Sequence, residues 1–213
     1  MSAKPQVVGS LDAAELTEAY VGFNKCVVTD PALQGGLTMK QTLDRIVSGL
    51  RLKPCWNVQK GHGSFITFEF GKPRLDIVEH RSNELGSEVV VGRCARVHGD
   101  WHLWIYCCGW RYSEAKQVVG RWYSPRKLVD RACARLRGQI LTDISINREK
   151  TQTVFSFDLG GELRTESYDG ELNEHWCLYC PDGSVFTFRS DGKCSLRPGN
   201  APAGYREKFV PFV

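Results

Sequence analysis

Asp100-Trp-His-Leu-Trp-Ile-Tyr-Cys-Cys-Gly-Trp-Arg111 holds three tryptophans and a tyrosine within twelve residues. Aromatic and β-branched side chains fit a pleated, half-buried surface, so the stretch reads as a strand. A period of two puts Trp101, Leu103, Ile105 and Cys107 on one face and His102, Trp104, Tyr106 and Cys108 on the other. Both faces are largely apolar, which predicts an interior strand covered on both sides with Trp104 buried. No catalytic constellation lies in it, and the residues specify a fold more sharply than an activity.

A similar pattern lies downstream. His102-x-x-x-Tyr106-Cys107 matches His175-x-x-x-Tyr179-Cys180, an offset of 175 − 102 = 73. A matching strand precedes each copy: Ser64-Phe-Ile-Thr-Phe-Glu-Phe-Gly71 parallels Thr153-Val-Phe-Ser-Phe-Asp-Leu-Gly160, offset by 153 − 64 = 89. Two copies are too few for a solenoid, so the self-similarity predicts two related β-units.

Working outward, strands are expected at residues 64–70, 74–80, 88–97 and 100–111, a four-stranded meander. The second unit is expected to begin at residues 140–147 and continue at 153–158, 162–168, 175–180, 184–189 and 193–197. Its turns, Gly160-Gly161, Asp182-Gly183 and Asp191-Gly192, suit positive φ. Between the units, Ser124-Pro125 reads as a cap and first turn of a helix ended by Gly138. Its buried stripe is Leu128, Val129, Ala132, Cys133 and Leu136.

Upstream, Thr38 and Gln41 form a capping-box pattern before a stripe of Met39, Leu43, Ile46, Val47 and Leu50. An earlier helix is expected after Ser10, with Leu11, Leu16, Ala19, Tyr20 and Phe23 on one face. The apolar end Phe-Val-Pro-Phe-Val is expected to dock on a sheet. The predicted architecture is α+β: a helical segment (1–60), a first β-unit (61–123), a connecting helix (124–138), and a second β-unit with a tail (139–213).

Composition bounds the function. The 213 residues are 42 % hydrophobic and 24 % charged, an ordinary globular balance. No run of about 18 apolar residues exists, so no membrane-spanning helix is expected. The start, Met-Ser-Ala-Lys-Pro, lacks a basic-then-apolar leader. Nine scattered cysteines then read as buried thiols in a reducing cytoplasm. The net charge of +4 conceals an asymmetry. Residues 113–138 carry seven Lys/Arg against two Asp/Glu, 7 − 2 = +5, whereas residues 151–192 carry eight Asp/Glu against two Arg, 2 − 8 = −6. Such fields either hold two faces together or steer a charged partner.

The motifs Gly-x-Gly-Ser-Phe-x-Thr-x-Glu-Phe-Gly (61–71) and Gly-Asp-Trp-His-Leu-Trp-Ile-Tyr-Cys-Cys-x-Trp (99–110) form one set. Gly-x-x-Leu-Thr-Asp-Ile-Ser-Ile (138–146), Phe-Asp-Leu-Gly-Gly-x-Leu, Glu-His-Trp and Pro-Asp-Gly follow. Together they resemble uncharacterised bacterial β-rich proteins, some of which sit beside polymorphic-toxin genes and look like immunity proteins. The resemblance covers residues 61–112 and 138–197, and it describes strands and turns, so no catalytic residue carries over. It implies a protein that binds and neutralises a cognate toxin; the lack of a nucleophile–base or metal constellation is what makes the expected protein non-enzymatic.

Other chemistries fit less well. Cys177-x-x-Cys180 lacks a second ligand pair for zinc, and a strand is the wrong place for a redox Cys-x-x-Cys. His102 and His175 have no nucleophile or paired acid at diagnostic spacing. Gly35-Gly36-Leu-Thr-Met-Lys40 is not a Walker loop. No catalytic residue, metal or cofactor is therefore expected. The candidate partner contacts are Glu162, Glu166, Asp169, Glu171 and Glu174, an acidic set suited to a basic toxin. The alternative is a nucleic-acid-binding module that contacts phosphates through Arg126, Lys127, Arg131 and Arg135.

Overall fold

A computed structural model describes residues 36–82, 89–149, 151–167, 170–202 and 204–213. The helix expected after Ser10 and the candidate contact Asp169 lie outside the described residues. Helix α1 spans Met39–Leu50, and its N-terminus carries the capping box read from the sequence. Thr38 accepts from the Gln41 N–H, while the Gln41 side chain accepts from the Thr38 N–H. The strands that follow are β1 (Cys55–Lys60), β2 (Ile66–Phe70), β3 (Arg74–Ser82), β4 (Val89–His98), β5 (Trp101–Ile105), β6 (Gly109–Glu114) and β7 (Gln117–Arg121). Helix α2 (Arg126–Leu136) leads to β8 (Leu141–Asn147), β9 (Gln152–Phe157), β10 (Gly161–Glu166) and β11 (Glu174–Tyr179). The chain ends with β12 (Ser184–Arg189), β13 (Lys193–Pro198) and the short β14 (Val210–Pro211).

These strands form three antiparallel sheets: a seven-stranded one ordered β1-β2-β5-β11-β12-β13-β14, a five-stranded one ordered β7-β6-β10-β9-β8, and the β3–β4 pair. The architecture is mostly β, with 52 % of the described residues in strands and 14 % helical. That corrects the α+β expectation of two separate meander units. The physical reason lies in the pairing. The tryptophan-rich β5 sits between β2 from its own half and β11 from the other half, and β6 pairs with β10 in the second sheet. Both large sheets are thus built from both halves of the chain, and the two helices cover the same core without making a layer of their own.

The two large sheets face each other. Phe68 of β2 lies 6.3 Å from Phe157 of β9, and Phe155 packs edge-on against Trp176 at 5.5 Å. The indole of Trp110 donates to the Ser64 carbonyl at 2.7 Å, and that of Trp176 to the Thr153 hydroxyl at 2.9 Å. Buried indoles need such acceptors. Leu43, Val47 and Leu50 of α1 and Val129, Ala132, Cys133 and Leu136 of α2 join the same core.

The internal similarity takes on a concrete form here. β5 and β11 do not belong to separate units; they lie side by side, with Tyr179 opposite His102. The other matched strands, β2 and β9, belong to opposite sheets, and their equivalent residues Phe68 and Phe157 meet across the core.

Local departures have local causes. Alternation in the aromatic stretch stops at Ile105; Cys107 takes a positive φ of 51°, and the chain crosses into the second sheet at Gly109. Trp104 is half-buried on the outer face, not core, with its ring tilted against those of Tyr106 and Phe65. Ser124 does not cap α2: its hydroxyl accepts from the Arg121 N–H, and Pro125 holds the N-cap position. The apolar tail docks as expected, with β14 on β13 and the Val213 carbonyl accepting from Lys40 N–H at 3.1 Å. Among the described residues no helix is long and apolar enough to cross a membrane.

Candidate functional site

The β3–β4 ribbon presents one face that stays exposed among the described residues. Period two places Leu75, Ile77, Glu79 and Arg81 on one face of β3, opposite Val97, Ala95 and Arg93 of β4. This face is exposed along its length: Leu75 is 64 % accessible, Ile77 58 %, Val97 54 % and Val91 65 %. On the other face Asp76, Val78, Cys94 and Arg96 are half-buried. Neither strand pairs with the two large sheets. Nine to ten strand residues extend roughly 30 Å at about 3.3 Å per residue. Glu79 sits within the apolar strip, with its carboxylate 3.0 Å from both Arg81 and Arg93. The two strands carry Arg74, Arg81, Arg93 and Arg96 against Asp76 and Glu79, which is 4 − 2 = +2.

The root of the ribbon is held by a polar network. The Asp100 carboxylate accepts from the Lys72 N–H at 2.9 Å and from Arg74 at 2.8 Å. Burial alone would raise the Asp100 pKa, but the Lys72 N–H and the Arg74 guanidinium outweigh it and hold the carboxyl below its ordinary value. His98 lies 2.7 Å from Asp76. One turn inward, Glu69 accepts from the Gly99 N–H at 2.8 Å through one oxygen, while the other lies 2.7 Å from His102 Nδ1. Gly99 cannot carry a side chain, because a Cβ would sit 2.2 Å from the Phe70 carbonyl. A buried His–carboxylate pair could orient an imidazole for proton transfer. Here Glu69 and His102 are both at most 6 % accessible, and Glu69 is engaged in fastening the β4–β5 turn to β2.

The acidic candidates occupy different places. Glu162 and Glu166 lie on β10 of the five-stranded sheet, and Glu162 pairs with Arg164 at 2.9 Å. Glu171 is exposed in the following loop. Glu174 starts β11 of the other sheet and accepts a hydrogen bond from the Tyr106 hydroxyl, a contact within the fold. Burial pushes the Tyr106 phenol well above its ordinary range.

Of the basic candidates, Lys127 and Arg131 are exposed, Arg126 pairs with Asp130 at 2.7 Å, and Arg135 bonds Glu114 at 2.5 Å. Cys177 and Cys180 are both buried, and burial lifts each thiol to about 12. The eight described cysteines are free thiols. Among the described residues no three His, Cys, Asp or Glu side chains converge to hold a metal ion.

Sequence reasoning assigned β3 and β4 to a meander and gave the ribbon no role. The available signal was Leu75, Ile77, Val91 and Val97 standing in strands whose alternate positions are polar or charged. A period-two pattern identifies an apolar face but does not say whether anything covers it. No protein-family model, curated protein or solved structure matches this chain.

Proposed function

We propose that this chain is a non-enzymatic protein-binding protein and that the β3–β4 ribbon is its contact element. The observation that carries the proposal is the exposed apolar face of Leu75, Ile77, Val91 and Val97 on a ribbon paired to neither large sheet. Contiguous apolar surface of this kind marks interaction sites in soluble proteins. Among the described residues neither edge of the ribbon pairs with a further strand, and such edges offer backbone groups for strand addition. The +2 balance of the two strands favours a partner whose apolar strip is flanked by carboxylates.

In its finer form the partner is a bacterial toxin held inactive by the contact, the reading that the immunity-protein resemblance supports. Glu162, Glu166 and Glu171 then provide a second, acidic region for a basic part of the toxin. Free thiols, six of the eight described ones buried, suit the reducing cytoplasm in which such a protein would act.

The finer form is tested by inspecting the neighbouring genes for a toxin-bearing reading frame and co-expressing any such toxin with this chain; absence of such a frame removes its support. The wild-type chain is expected to rescue growth, and a Leu75→Ser, Ile77→Ser, Val97→Ser variant to lose rescue while folding normally. Full rescue by that variant, with loss of rescue on charge reversal of Glu162 and Glu166, transfers the contact to the acidic strand. If the wild-type chain fails to rescue, the toxin reading is wrong. A wild-type chain that sediments as a dimer, and a variant that does not, makes a second copy the occupant of the ribbon.

A further inference from the structure

Between β1 and α2 runs a cavity of about 460 Å3 that neither the ribbon nor the sandwich core uses. Its walls carry Gln59 and Lys60 from β1, Arg126, Asp130 and Cys133 from α2, and Arg137 at the C-cap of α2. The helical positions 126, 130, 133 and 137 recur at i, i+4, i+7 and i+11, so they form one stripe along the helix. At 1.5 Å per residue that stripe is roughly 16 Å long. The volume lies in the range of small-molecule sites.

The charge of the lining is unbalanced. Lys60, Arg126 and Arg137 stand against Asp130 alone, 3 − 1 = +2. Asp130 is engaged by Arg126 at 2.7 Å. The other two cations bond only neutral oxygens among the described residues: Lys60 donates to the carbonyls of Gly61 and Gly63, and Arg137 to the Val58 carbonyl at 2.9 Å. Burial lowers the Lys60 pKa; nearby Cys133 opposes that effect and the Arg126 charge adds to it. Cys133 supplies no balancing anion, because burial raises its thiol. Arg126 also opens α2, whose N-cap Pro125 has no side chain to cap the first turn and whose first turn holds no acid. A cation at the positive end of a helix is unfavourable unless an anion joins it.

We propose that this groove binds a phosphorylated small molecule, its diphosphate group lying along α2 between the Lys60–Arg126 end and Arg137. Guanidinium forks match phosphate oxygens, and an elongated groove with two uncompensated charges calls for a ligand with more than one negative charge. The proposal is independent of the ribbon and of any toxin.

Isothermal titration of the full chain with pyrophosphate, a nucleoside diphosphate, citrate and a short single-stranded oligonucleotide tests it. The expected result is saturable 1:1 binding of pyrophosphate, weaker binding of citrate, and at least tenfold loss in Lys60→Gln and in Arg126→Gln. Lys60→Arg should retain binding, as should Arg135→Gln, whose guanidinium bonds Glu114 outside the groove. Thermal melts of all variants separate lost binding from lost folding. Tighter binding of the nucleoside diphosphate than of pyrophosphate assigns the ligand to nucleotides, and equal binding assigns it to the free diphosphate. The proposal is overturned by absence of saturable binding to both, by binding that survives Lys60→Gln and Arg126→Gln, or by an oligonucleotide that binds more tightly and loses affinity steeply with salt. The last outcome makes α2 a nucleic-acid contact through Arg126, Lys127, Arg131 and Arg135.

Discussion

The sandwich and the β3–β4 ribbon are written in the same alphabet and put to opposite uses. β11 and β12 alternate so that Trp176, Leu178, Phe186 and Phe188 enter the core fully buried. β3 and β4 alternate in the same way, yet Leu75, Ile77, Val91 and Val97 stay in solvent. The difference is pairing. β11 and β12 each have a neighbour on both sides and a second sheet facing them, whereas among the described residues β3 and β4 pair only with each other. Apolar side chains stabilise a fold in proportion to the surface they remove from water, so the core residues hold the protein together and the ribbon's exposed residues hold it hardly at all.

Substitution at the two regions sharpens that contrast. The largest effect is expected at Trp176, which stacks on Phe186 and Phe188 and donates to Thr153. Trp176→Ala should lose about 3–5 kcal/mol in denaturant unfolding, the range for large-to-small changes at buried aromatics. A smaller loss is expected where the two regions join. Glu69→Ala removes the acceptor of the Gly99 N–H and one partner of His102, leaving that buried N–H without its acceptor at about 1–3 kcal/mol. If Glu69→Ala unfolds as the parent does, the root of the ribbon is not fastened as described.

Acid separates the root from the core by another route. Asp100 has a folded-state pKa below its ordinary 3.8, so its contribution is fully present above that value and is lost as pH falls through the lower folded value. Asp191, held down mainly by Arg189, behaves in the same direction. Stability should therefore fall below about pH 4, with the slope reduced in Asp100→Asn. A pH profile identical in parent and variant would discount the Asp100 network. The smallest chemical effect concerns thiols. Cys177 and Cys180, raised to about 12 by burial, should resist alkylation in the folded protein, while half-exposed Cys94 and Cys107 react. Rapid labelling of Cys177 would contradict its burial.

Much of the architecture was legible residue by residue. Thr38 and Gln41 announced α1, and the hairpin glycines Gly160, Gly183 and Gly192 all take the positive φ that their turns suggested. The aromatic run at residues 101–105 became the interior strand β5. What failed was assembly, because periodicity reports which face of a strand is apolar and not which strand lies beside it. β1 was missed, since Cys55-Trp-Asn-Val-Gln-Lys60 does not alternate cleanly. The β6–β7 turn was missed because Ala115 and Lys116 adopt positive φ without a glycine or asparagine to signal it. The ribbon was legible as two strands but not as a surface, and the cationic groove depends on α2 meeting β1 across more than sixty residues of chain.

The central claim is that the ribbon's apolar face serves a partner and not the fold. The most direct measurement compares the parent with the Leu75→Ser, Ile77→Ser, Val97→Ser variant in paired unfolding and partner-capture experiments from the cells that make the protein. The account predicts unfolding free energies within about 0.5 kcal/mol per substituted site, as for surface changes, and loss of a defined protein that the parent retains. A variant that unfolds as readily as Trp176→Ala, or that captures the same partner as the parent, would contradict it.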